Sequence, residues 1–125
     1  MSEIDAVRVR VLLENLCELE PRWFWRTESG SRIDAKSGLG AVSVARIHVN
    51  GKPTIYSESI RDALEALHDA RGWAVTIYTG TYGIDRSSRC EIAISQPVWR
   101  DVRHTAPTRL EAMLEATNTA LGGAL

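Results

Sequence analysis

The sequence predicts an α+β fold: an antiparallel sheet with amphipathic helices packed on it, in the order helix, two strands, helix, three strands, helix, as a single compact domain over residues 1–125. Three observations predict it. Residues 57–71 and 105–121 repeat apolar side chains at helical spacing. Residues 73–79 and 89–95 are rich in β-branched and aromatic residues and flank a polar, Gly-containing loop, the pattern of an antiparallel hairpin. A length of 125 residues suits one domain and lets the chain bury about two-thirds of the surface its unfolded form exposes.

Residues 2–20 read as the first helix, with Ile4, Val7, Val11, Leu12, Leu16 and Leu19 as its apolar stripe, Ser2 and Asp5 as caps and Pro21 as its stop. The aromatic run 23–27 reads as a short strand. Residues 28–40 carry three Gly and three Ser with little apolar content, which predicts a mobile surface loop. Residues 41–49 read as a strand, Asn50-Gly51 as a hairpin turn, and 54–56 as a return strand that Pro53 confines to a sheet edge. Residues 1–52 thus precede a core region that starts at Pro53 and runs to residue 125.

Helix 57–71 buries Ile60, Ala63, Leu64, Leu67 and Ala70, with Ser57 or Ser59 as N-cap and Gly72 as its stop. After the hairpin, residues 98–104 supply a third strand beyond Pro97. Helix 105–121 buries Leu110, Met113, Leu114, Thr117 and Leu121. Thr105 or Thr108 caps it, Thr108 with Glu111 makes a capping box, and Gly122-Gly123 closes it. Trp73 and Trp99 read as core residues.

Composition excludes several function classes. Cys17 and Cys90 are too few for a disulfide framework and suit a reducing, cytoplasmic setting. No stretch approaches the ~18 apolar residues of a membrane span, and the charged start Ser2-Glu3-Ile4-Asp5 is not a secretory signal. A net charge of −1 argues against a generally basic nucleic-acid binder. Of the 15 basic residues only Lys36 and Lys52 are Lys, a bias that a GC-rich genome would also produce.

Catalytic motifs do not emerge. The sequence has no nucleophile elbow and no phosphate loop ending in Lys-Ser or Lys-Thr, and the Gly pairs at 38/40 and 80/83 lack the strand and helix a dinucleotide fingerprint needs. His48, His68, His104, Cys17 and Cys90 never fall at metal-ligand spacing, and Asp62, Glu65 and Asp69 read as a solvated helix face. The chain therefore predicts no enzyme, no metal and no cofactor.

One region does stand out. Residues 86–109 hold Arg86, Arg89, Arg100, Arg103 and Arg109, plus His104, against only Glu91 and Asp101. Strand alternation puts Arg100, Val102 and His104 on one face, leading into Thr105 and a helix N-terminus whose N–H groups favour a phosphate. Tyr78 and Tyr82 supply rings on which a base stacks, with Trp99 a third ring only in the alternative to its core reading. The candidate ligand-binding set is thus Tyr78, Tyr82, Arg100, Arg103, His104, Thr105 and Arg109. The plainer alternative is that these arginines pair with neighbouring carboxylates and guard an exposed strand.

Pro53-Thr-Ile-Tyr-Ser57 with Ile60, Ala63 and Leu64, then Gly72-Trp73 with Thr76-Ile77, then Cys90-Glu91-Ile92, then Thr105-Ala-Pro107 with Ala112, Leu114 and Ala116, together resemble the bacteriophage family called the phage ABA sandwich domain over residues 53–121. The 28–40 loop and the Asn50-Gly51 turn have no counterpart in that pattern. The family is similar to phage Thoeris anti-defence proteins that act as sponges. The resemblance implies a non-catalytic homo-oligomer that sequesters a cyclic nucleotide or cyclic ADP-ribose-type immune signal in the cytoplasm of an infected host. It carries over no ligand residue one by one, so the seven candidates rest on their chemistry.

Two rivals come from other classes. A small inhibitor of the anti-CRISPR or immunity type would bind a protein partner through the edge strand 54–56 or the 28–40 loop. A double-stranded-RNA-binding domain shares the helix, three strands, helix order, but the last helix opens without the lysine cluster that such a grip needs. The discriminating observation is whether the arginines line a concave pocket or lie on a flat face.

Overall fold

The computed structural model describes residues 4–79, 87–95 and 98–122. Its elements run α1 (Ala6–Leu19), β1 (Phe24–Arg26), β2 (Arg32–Ser37), β3 (Gly40–Arg46), β4 (Thr54–Ile55), α2 (Ser57–Arg71), β5 (Ala74–Thr79), β6 (Ser88–Ile94), β7 (Arg100–Ala106) and α3 (Arg109–Ala120). The α+β class with antiparallel pairing holds, and the strands divide into two sheets, β1-β2-β3-β4 and β5-β6-β7. The helices lie between them. Helix α1 packs on β1 and β4, α2 on β2 and β3, and α3 on β6 and β7, while α3 touches α1 and α2 with its opposite side. Packed on both sides, α3 buries nearly every residue from Leu110 to Ala120, including Glu111, Glu115, Thr117 and Asn118.

Helix α1 starts where the Asp5 carboxylate accepts the Arg8 N–H at 3.1 Å. Its buried stripe is Val9, Leu12, Leu13 and Leu16, and the expected Ile4, Val7 and Val11 are exposed. The segment is apolar on two sides, and the side with the paired leucines meets the core. Residues 28–40 are not a loop: β2 pairs with β3 from Arg32↔Arg46 to Ser37↔Gly40, leaving a two-residue turn at Gly38-Leu39. Ser37 fixes that turn, its Oγ donating to the Gly40 carbonyl and accepting the Leu39 N–H. Ile33 and Ala35 face inward and are fully buried, so the polar residues between them form the outer face of a strand.

Asn50-Gly51 does not close a two-residue hairpin. The β3–β4 ladder ends at Arg46↔Thr54, because Pro53 has no N–H to extend it, and the turn widens to residues 47–53 with Gly51 at φ +116°. β4 is an edge, as Pro53 requires. Helix α2 buries Ile60, Ala63, Leu64 and Leu67 as expected, but His68 replaces Ala70 in the stripe. Its N-cap is Tyr56, with no side-chain cap in place of the expected Ser57 or Ser59, and Gly72 ends it at φ +68°. Strand β7 runs two residues later than expected because it pairs along β6 from Ser88↔Ala106 to Ile94↔Arg100. Pro107 stops it, so Thr108 caps α3 and Thr105 remains in the strand. Trp73 packs against the core, but Trp99 is 65% exposed. Among the described residues no helix is long and apolar enough to cross a membrane.

Candidate functional site

The six candidate residues that the structure describes do not share one surface. Alternation along β7 puts Arg100 and His104 on the face that meets α3, and Arg103 and Thr105 on the outer face. Arg100 Nη2 donates to the Ala120 carbonyl at 2.6 Å, so it caps the C-terminus of α3, where a cation meets the negative end of the helix dipole. His104 Nε2 lies 2.8 Å from Thr119 Oγ1, and its Nδ1 lies 3.8 Å from Glu115. Both side chains hold α3 on the sheet. Their shared face was legible from the sequence, but that face points inward.

On the outer face the cross-strand rows are Thr76, Glu91 and Arg103, and next to it Tyr78, Arg89 and Thr105. Arg89 stacks on the Tyr78 ring at 4.7 Å and lies 3.4 Å from Glu91, while Arg103 lies 3.2 Å from the same carboxylate. Two arginines share one glutamate on this outer face, which is the pairing pattern of an exposed strand. Tyr82 and Arg86 lie outside the described residues.

At the helix N-terminus expected to receive a phosphate, the chain itself supplies a carboxylate. Thr108 Oγ1 accepts the Glu111 N–H, and Glu111, 2% exposed, accepts hydrogen bonds from the Thr108 hydroxyl at 3.0 Å and from the Asp5 N–H at 3.2 Å. Thr108 thus caps the Glu111 N–H, while the Glu111 carboxylate turns to the Thr108 hydroxyl and to Asp5, not to the Thr108 N–H of a reciprocal capping box, and ties the start of α1 to α3. One turn along, Arg8 Nε donates to the buried Glu115 at 2.9 Å, and that hydrogen bond raises the Arg8 pKa.

Arg109 reaches a concavity among the described residues. It lines a cleft of about 310 Å³ with Arg61 and Ser57 from α2, Thr108 at the cap of α3, and Ile4, Leu110 and Met113. Neither the Arg61 nor the Arg109 side chain makes a hydrogen bond or ion pair with another described residue, unlike those of Arg89, Arg100 and Arg103. Sequence reading missed Arg61, because it sits among acidic residues on α2 and only the packing of α2 beside α3 brings it to Arg109. The one available signal was that Arg61 stands four residues, one turn, after Ser57 on the same side of α2. Both thiols are unreactive in character: burial pushes Cys17 and Cys90 up to about 11.

No protein-family model, curated protein or solved structure matches the chain.

Proposed function

We propose that the chain is a non-catalytic binding protein that holds a small phosphate-bearing ligand of the nucleotide class in the Arg61–Arg109 cleft. Sequestration of a cyclic nucleotide immune signal, by a phage-type anti-defence protein in an infected cell, is the biological form of this reading. The observation that carries it is two arginines, free of partners among the described residues, meeting on one cleft with an apolar floor of Ile4, Leu110 and Met113. A guanidinium fork matches phosphate oxygens, and the apolar floor suits a base or ribose. Arginine stays protonated at physiological pH and cannot serve as a proton donor or acceptor in turnover, so this charge set favours capture over chemistry. At about 310 Å³ the cleft stands at the small end of the range of small-molecule sites.

The test is calorimetry against cyclic dinucleotides, cyclic trinucleotides and cyclic ADP-ribose isomers, with mass spectrometry of the recovered ligand. An intact ligand binds, Arg61→Ala or Arg109→Ala weakens it at least about tenfold, and Arg100→Ala leaves affinity unchanged because Arg100 caps α3. Silence across the panel overturns this reading. It would favour instead an inhibitor that docks a protein partner on the flat outer face of β5-β6-β7, whose arginines are already paired and whose margin carries the exposed Trp99.

A further inference from the structure

Strand β7 is the last strand of its sheet, packed on β6 and α3, and among the described residues no strand lies along its other side. Seven residues of open backbone are a template for another strand, and natural proteins either block such an edge or use it. The chain just ahead of it carries Val98 at 73% and Trp99 at 65% exposure, two large apolar side chains without cover. We infer that β7 pairs antiparallel with β7 of a second copy of this chain, about a twofold axis at Val102, joining two three-stranded sheets into one of six strands.

The register follows from charge and face. In an antiparallel pair, directly opposed residues share a face, so the twofold axis must pass through a residue, not between two, if both copies are to keep α3 on the same side. An axis at Asp101 opposes two carboxylates, and an axis at Arg103 opposes two guanidinium groups. Only the axis at Val102, among those near the middle of β7, sets Asp101 opposite Arg103 of the second copy, and by symmetry does so twice. Arg103 is already 3.2 Å from Glu91 with its side chain 63% exposed, so it can meet Asp101 of the second copy without losing its own pair. On the helix side Arg100 comes opposite His104, each already bonded to α3. The same register brings Trp99 alongside Thr105, and Val98 alongside Ala106, of the second copy.

The other open edge of this sheet does not suit a second copy. Beside β5 lies a groove lined by Glu65 and Asp69 of α2 together with Val75 and Ile77. Two copies joined there would crowd four carboxylates. Strand β7 has no such barrier, and its two outward charges are of opposite sign and spaced to answer each other.

A charge-exchange experiment tests this on the full chain. Sedimentation equilibrium of the wild type, from micromolar to millimolar concentration, gives twice the 13.9 kDa chain mass. Asp101→Arg and Arg103→Asp each weaken self-association at least about tenfold, since each variant opposes like charges across the axis. Mixed in equal amounts, the two variants form a heterodimer, because one copy then carries only Arg and the other only Asp at the paired positions. Circular dichroism confirms that each variant is folded. A monomeric wild type, single variants that still dimerise, or folded variants that fail to associate when mixed each overturn the proposal.

Discussion

His68 is 4% exposed, tilted against the Trp73 ring at 5.9 Å, and its Nε2 lies 2.9 Å from Thr117 Oγ1. Thr117 gives its own hydrogen to the Met113 carbonyl, so its oxygen accepts from His68, which places the imidazole proton on Nε2. Burial lowers the His68 pKa to about 4 from an ordinary 6.5. The unfolded chain therefore binds a proton between pH 6.5 and 4 that the folded chain refuses. Stability is complete above pH 6.5, falls as pH drops through that window, and loses nothing further below it, for a total on the order of 3 kcal/mol. Urea denaturation at pH 7 and pH 4.5 checks this, and in His68→Phe the difference between the two pH values shrinks. At this scale the sequence showed which residues share a strand face but not whether the face looks in or out. Arg100 and His104 were misjudged because β7 has a single large apolar residue, Val102, to mark the inner side.

At the scale of elements, legibility tracked the strength of the apolar period. Helix α2 shows four apolar positions on one side and polar ones elsewhere, so its stripe and its Gly72 stop were readable. Strand β2 was hidden because its inward residues are one isoleucine and one alanine among Ser and Gly. The alternation Arg32, Ile33, Asp34, Ala35, Lys36 was present, yet turn composition on both sides outweighed it. Ion pairing holds the outer side, where Arg32 meets Asp34 at 2.8 Å and Ser43 donates to the same carboxylate at 3.1 Å. Ile33 sits fully buried beneath that pair, so Ile33→Ala lowers unfolding free energy by about 2–4 kcal/mol. A mobile loop would lose almost nothing. The candidate site failed at this scale too: Thr108 caps α3 as expected, but the Glu111 carboxylate turns to the Thr108 hydroxyl and the Asp5 N–H, which puts a carboxylate at the helix end where a phosphate was expected.

Across the whole molecule, the two sheets are joined through the helices, and the division at Pro53 does not mark an independent core. Helix α2 rests on β2 and β3, both from the first 52 residues, and β4 pairs only with β3. Helix α3 packs on α1, where Asn118 donates to the Leu12 carbonyl at 3.3 Å and Glu115 is bound by Arg8. Removing residues 1–52 would expose the stripe of α2 and one side of α3 together, and would leave the Glu115 carboxylate without Arg8. Wetting those apolar side chains costs more than a small domain's margin of about 5–15 kcal/mol can absorb. A fragment of residues 53–125 is therefore expected to give collapsed amide dispersion in a proton–nitrogen correlation spectrum. Adding a peptide of residues 1–52 restores native dispersion, because the missing sheet and α1 supply the faces that α2 and α3 were folded against. A well-dispersed spectrum from the fragment alone would mean that the second sheet and its two helices hold themselves together, and that the first sheet is an addition to a core able to stand without it.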